Sequence, residues 1–162
     1  MGTKRREGRA SICDLIAVAI NIDGSGELKI KGKLLKPFIE NIMTLFAKGD
    51  CLFDLTIINK MGYDSNLYQT IIKTGECLGL AFNEALGEKE QVARYGDAAI
   101  VVEDVKAEVS VDLSDRSYLV FNTQIDSFAD KNYKFQLLRI FLQAFIAKAR
   151  ITVHINSFHG NN

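Results

Sequence analysis

The order of its patterned segments constrains this chain more than anything else, because the same run of strand and helix signals occurs twice. Ile16, Val18, Ile20 and Ile22 recur with period two, the mark of a half-buried strand. Asp23-Gly24-Ser25-Gly26 supplies turn chemistry, and Leu28 with Ile30 begins a returning strand. Pro37 stands where a helix can start, and Phe38, Ile39, Ile42, Met43, Leu45 and Phe46 give that helix its apolar stripe. Phe53, Leu55 and Ile57 mark the next strand. A longer helix is predicted from about Ser65 to Leu86, with Leu67, Ile71, Leu78, Phe82 and Ala85 inward and Gly87 as its cap. The second round follows with Ala107, Val109, Val111 and Leu113, then Tyr118 to Phe121. A helix from about Asn132 to Ala149 carries Phe135, Leu138, Phe141, Phe145 and Ala149 on one face, and Ile151, Val153 and Ile155 make a last strand.

This pattern predicts an α+β fold, a two-layer α/β sandwich made of two similar halves. Each half reads strand-strand-helix-strand-helix, and the second is missing its last helix. The halves are placed at about 11–90 and 91–162, after a flexible basic N-terminus over residues 1–10 with Lys4, Arg5, Arg6 and Arg9. Burial stabilises a sheet face by roughly 25 cal/mol per Å² of apolar area. The inward side chains from Ile151 to Ile155 are therefore expected to lack cover unless a partner supplies it.

Charge and rare residues narrow the function. Twenty basic side chains balance twenty acidic ones, which speaks against a nucleic-acid or membrane-surface binder. No apolar run approaches the ~20 residues of a membrane helix. The segment after the charged start carries Asp14, Asn21 and Asp23, so no secretory signal is read and a cytoplasmic location is expected. Cys13, Cys51 and Cys77 form no CxxC spacing, so they read as reduced thiols. Both histidines, His154 and His159, lie at the far end, which leaves 153 residues without the usual metal ligand and general base.

Several segments then acquire a family context. Asn21-Ile22-Asp23-Gly24-Ser25-Gly26, Phe53-Asp54-Leu55-Thr56, Glu84-Ala85-Leu86-Gly87, Arg94-Tyr95-Gly96 and Val111-Asp112-Leu113-Ser114-Asp115-Arg116 follow one another in an order and spacing that resembles imidazoleglycerol-phosphate dehydratase. Thr152-Val153-His154-Ile155 and Gly160-Asn161-Asn162 are similar to the segment leading into that family's C-terminal HHxxE. The resemblance runs from about Arg9 to Asn162. It implies two similar halves, trimers that build larger shells through shared metal sites, and removal of water from imidazoleglycerol phosphate by a pair of manganese ions, in the histidine-biosynthesis pathway.

The departures fall on the metal ligands. Where the family has FxDHM, this chain has Phe38-Ile39-Glu40-Asn41-Ile42, so Asn41 replaces a ligand histidine. Where it has HHTVED, the chain reads Tyr68-Gln69-Thr70-Ile71-Ile72-Lys73, so Tyr68, Gln69 and Ile72 replace two histidines and a glutamate. The glutamate of TxET falls on Cys13, and MDEA falls on Val102-Glu103-Asp104-Val105 with its acids exchanged. Manganese and similar divalent ions need carboxylate and imidazole donors facing one point. The expectation is no metal, no cofactor and no catalytic residue: an inactive relative of the lyase family with a binding or assembly role. The alternative is a diverged dehydratase, or one that borrows ligands from a partner.

One part of the family's site is retained. Arg94 and Arg116 fall on the arginines that contact the substrate phosphate, a role suited to an always-charged, forked guanidinium. A phosphorylated small molecule is the ligand this implies, and a homo-oligomer, by analogy a trimer, is the expected assembly. The competing reading is that both arginines pair with Glu103, Asp112 or Asp115. His154 reads as a structural strand residue and His159 as a surface residue. Glu103 and Asp104, adjacent in an extended segment, would face opposite ways and are poor as an acid–base pair. Cys13 has no histidine near it in sequence to activate it.

Overall fold

A computed structural model describes residues 6–12, 14–32, 37–49, 51–61, 66–90, 92–123 and 133–159. The strands are β1 Glu7–Ile12, β2 Ile16–Asn21, β3 Leu28–Lys31, β4 Asp54–Asn59, β5 Tyr95–Val102, β6 Val105–Asp112, β7 Tyr118–Thr123 and β8 Thr152–His159. The helices are α1 Pro37–Lys48, α2 Leu67–Leu86 and α3 Tyr133–Ala149.

Two four-stranded sheets result, ordered β1-β2-β4-β3 and β5-β6-β8-β7. In each, the first two pairings are antiparallel and the last is parallel, closed by a crossover through α1 or α3. The two halves are therefore alike in topology as well as in order. Each half also has one more leading strand than the sequence pattern predicts. β1 and β5 escape a period-two reading because Glu7-Gly8-Arg9 and Tyr95-Gly96-Asp97 put glycine and charge where alternation would show.

The expectation of a flexible N-terminus fails from Arg6 onward. Arg6 binds Asp23 through both backbone and guanidinium, and Ile22 donates to the Arg6 carbonyl at 3.0 Å. Glu7–Ile12 then pairs residue for residue with β2, and the Arg9 amide donates to Glu84 of α2 at 2.5 Å. Residues 1–5 lie outside the described residues.

The core lies between the sheets. Ile16, Val18, Ile20, Leu55 and Ile57 face Ile71, Leu78, Ala81 and Ala85 of α2, which in turn packs along α3. Phe46 of α1 meets Phe145 of α3 with ring centroids 5.6 Å apart, and Phe82 of α2 meets the same ring at 5.6 Å. One aromatic cluster thus joins the halves. Two expectations change here. Phe135 is exposed and Leu137 is buried in its place, so the inward stripe of α3 runs Leu137, Phe141, Phe145 and Ala149. Ile151 and Val153 are buried rather than bare, and the uncovered face lies on β5.

Candidate functional site

The ends of β5 and β6 bring both expected arginines to one place. Arg94 immediately precedes β5, and Arg116 sits in the loop from β6 to β7. That loop is fixed at three points. Leu113 donates to the Arg94 carbonyl at 2.9 Å, Thr152 Oγ1 donates to the Arg116 carbonyl at 3.0 Å, and Ser117 Oγ donates to the Ala147 carbonyl at 3.1 Å. Arg94, Asp112, Ser114, Asp115, Arg116 and Thr152 line an open polar depression of about 520 Å³.

The competing reading holds for one arginine. Arg94 grips Asp112 with a two-pronged contact, Nε to Oδ1 at 2.8 Å and Nη2 to Oδ2 at 3.3 Å. That guanidinium holds the Asp112 carboxyl below its ordinary range, and the carboxylate in turn raises Arg94. Arg94 also lies 5.0 Å from the centre of the Tyr95 ring. Arg116 has no carboxylate within 4 Å among the described residues; Asp112 reaches it only through the longer-range field.

Sequence reasoning missed two cations here. Lys89 Nζ donates to Asp115 Oδ1 at 2.7 Å and holds that carboxyl below its ordinary value, while Arg150 Nε lies 3.9 Å from the same oxygen. Four cations thus surround two carboxylates, so the depression carries a local positive excess. Lys89, Asp115 and Arg150 share a positive φ, between 54° and 60°. Three tight turns converge on this spot, and nothing in the sequence pattern marks them.

The metal-ligand positions are arranged otherwise. Asn41 projects from α1 and is exposed, Tyr68 and Gln69 are exposed in the first turn of α2, and Ile72 is half-buried one turn on. Among the described residues no three His, Cys, Asp or Glu side chains come together in a group that could hold a metal ion. Manganese does not fit the donors present: Ile72 offers no donor atom, and amide or phenol oxygens at the other positions bring no imidazole or carboxylate.

Among the remaining candidates, Glu103 and Asp104 form the turn of the β5–β6 hairpin, Glu103 with φ 53°, instead of the extended pair expected. His154 is exposed on β8, opposite Ser110 and Val120. His159 ends that strand. Cys51 is exposed and Cys77 is buried in α2, where its thiol donates to the Ala10 carbonyl at 3.2 Å and burial pushes its pKa up to about 11. Cys13 lies outside the described residues. Asp23-Gly24-Ser25-Gly26 is the expected turn, held by Asp54 Oδ1, which accepts from the amides of Ser25 at 2.7 Å and Glu27 at 3.0 Å. No helix among the described residues is long and apolar enough to cross a membrane.

Comparison with known proteins agrees with this architecture. Residues 35–162 match the family model for imidazoleglycerol-phosphate dehydratase. The chain is 36% identical over 147 residues to the protein of that name from Geobacter sp. (strain M21), covering 91% of this chain and 74% of that one. The corresponding protein of Acetivibrio thermocellus is 35% identical with the same coverage. The crystal structure of imidazoleglycerol-phosphate dehydratase from Staphylococcus aureus superposes with a TM-score of 0.76 at 24% identity, covering 96% of this chain and 85% of that one. The Pyrococcus furiosus structure gives 0.67 at 26% identity, over 95% and 81%. With most of its length matched in both sequence and fold, the chain belongs to the imidazoleglycerol-phosphate dehydratase family.

Proposed function

We propose that this chain is a family member without dehydratase activity, whose work is binding or assembly and whose ligand is a phosphorylated small molecule at Arg94 and Arg116. One observation carries the reading: Asn41, Tyr68, Gln69 and Ile72 stand at the family's ligand positions. Loss of a single supporting partner of a metal ligand costs ~10–100-fold in affinity or activity. Replacement of several ligands at once removes the site. The phosphate half rests on the positive excess around Arg116, whose guanidinium is not committed to a carboxylate at contact distance.

The test is turnover of imidazoleglycerol phosphate with added manganese, followed as imidazoleacetol phosphate formed. No product above background is expected, and product would refute the reading. Binding of glycerol phosphate by calorimetry tests the other half. Arg116→Ala should weaken it at least tenfold, and unchanged binding would remove Arg116 from the site. The assembly is proposed to be a homo-oligomer, a trimer, held by packing. Sedimentation should give one species with or without chelator, and dissociation by chelator would contradict it.

A second reading is a partner-dependent dehydratase, favoured by the 36% identity to a protein named for that activity. It predicts product only when the chain is mixed with an active homologue, at a rate above that of the homologue alone.

A further inference from the structure

The two sheets carry the same inward triplet on their first strands. Gly8, Ala10 and Ile12 of β1 lie opposite Ile20, Val18 and Ile16, which lie opposite Leu55, Ile57 and Asn59. Gly96, Ala98 and Ile100 of β5 lie opposite Val111, Val109 and Ala107, which lie opposite Val153, Ile155 and Ser157. Row for row, Gly-x-Ala-x-Ile recurs at the same place in each half.

In the first half the reason is visible. α2 lies against β1 and β2, so close that a Cβ on Gly8 would fall 1.8 Å from the Ala81 carbonyl oxygen and 2.7 Å from the Ala85 nitrogen. The glycine makes room for a helix backbone, and the small Ala81 and Ala85, four residues apart, bring that backbone down onto it. In the second half a Cβ on Gly96 would meet nothing within 4 Å. Ile100 is 64% exposed and Val102 61%, although both point to the same side as the packed Val109 and Val111. The three helices of the described residues are already placed: α2 on β1 and α3, α3 on β7, α1 beside β3.

We propose that the inner face of β5 and β6 is a docking seat for an amphipathic α-helix of a second polypeptide, one that offers small residues at i and i+4 as α2 offers Ala81 and Ala85. The relation that sets α2 against α3 of the other half would set the docked helix against α1, where Leu45 is 74% exposed. The apolar residues Ala98, Ile100 and Val102 and the gap above Gly96 thus fit one occupant. A strand added to the outer edge of β5 would pair its backbone and leave this face bare.

The probe is a lactam-stapled, fluorescein-labelled peptide of residues 66–86, whose inward face already fits Gly-x-Ala-x-Ile. Added to the full chain, it should bind saturably and slow hydrogen exchange at the β5 amides. Gly96→Val borders open space, so circular dichroism and the urea midpoint should be unchanged while peptide affinity falls at least tenfold. No saturable binding overturns the proposal, and so does binding indifferent to Gly96→Val, which would mean that the peptide displaces α2 from β1. Self-association that Gly96→Val abolishes, without peptide binding, would give the seat to a second copy and equally overturn it.

Discussion

Gly79→Ala sets two physical effects against each other at the seam between the halves. Alanine is the better helix former, and in an open helix the change would add about 1 kcal/mol of stability. Here α2 crosses α3 at this residue. A Cβ on Gly79 would lie 2.3 Å from the Phe145 carbonyl oxygen, 2.9 Å from the Ala149 nitrogen and 2.9 Å from the Lys148 Cβ. Two of the three atoms are backbone and cannot swing away. Ordinary contact requires the helices to part by roughly 1 Å, and a gap of that size forfeits about a quarter to a half of each dispersion contact along the crossing. Overpacking of this kind costs about 1–3 kcal/mol, and the backbone collision puts this site at the upper end. The net expectation is a loss of about 2 kcal/mol once the propensity gain is credited. With an m-value of about 2 kcal/mol/M, the urea midpoint followed by circular dichroism should fall by roughly 1 M. A midpoint equal to or above that of the parent would mean that propensity wins, and the close crossing of α2 and α3 would be refuted.

Three further outcomes follow from local electrostatics and geometry. The Asp54 carboxylate accepts from the amides of Glu27 and Ser25, which hold it below its ordinary 3.8. Its folded pKa is depressed, so its contribution is present above about pH 4 and lost as pH falls through the lower folded value. Asp54→Asn should flatten the fall of Tm between pH 4 and 2; an unaltered slope would assign that fall to other groups. At pH 8 a maleimide should label Cys51 rapidly and Cys77 only on unfolding, because Cys77 is buried with a pKa of about 11; Cys51→Ser should remove a fast phase that Cys77→Ser leaves intact. Asp115 has φ 60° at a position where the related sequences resembled here carry glycine, and its ion pairs are exposed. Asp115→Gly should therefore raise the urea midpoint slightly, and a lower midpoint would show that the contact with Lys89 outweighs the backbone strain.

Most of the fold was legible because its inner strands and helices carry clean periods. Ile16, Val18 and Ile20 could only be a strand, and Ile71, Leu78, Ala81 and Ala85 only the inward face of a helix. The edge strands were hidden because glycine at 8 and 96 answers to a helix above the sheet, information held in tertiary contact and invisible to periodicity. Phe135 was misplaced for a related reason: several faces of α3 are apolar, so the pattern alone does not decide which one is inward. At the candidate site, the arginines were found through the spacing of family motifs. Lys89 and Arg150 were not, because what brings them to Asp115 is a set of positive-φ turns rather than any residue pattern.

The same packing explains how the fold and the metal-ligand positions are uncoupled. On α1 the buried stripe is Ile39, Met43 and Ala47, and Asn41 lies two residues from the first two, on the opposite side of the helix. On α2 the stripe begins at Thr70 and Ile71, and Tyr68 and Gln69 face outward. Exposed substitutions of this kind usually change stability by no more than about 0.5 kcal/mol, so folding exerts no hold on a ligand at these places. Arg94 is different, since its contact with Asp112 ties the entry of β5 to the exit of β6 and gives it a structural reason to be there. Its presence is therefore weak support for phosphate binding. Arg116 has no such contact among the described residues, and its guanidinium sits in a depression where four cations face two carboxylates. The phosphate reading stands on Arg116: its replacement should cost ligand binding and leave the urea midpoint where it was, whereas Arg94→Ala should lower both.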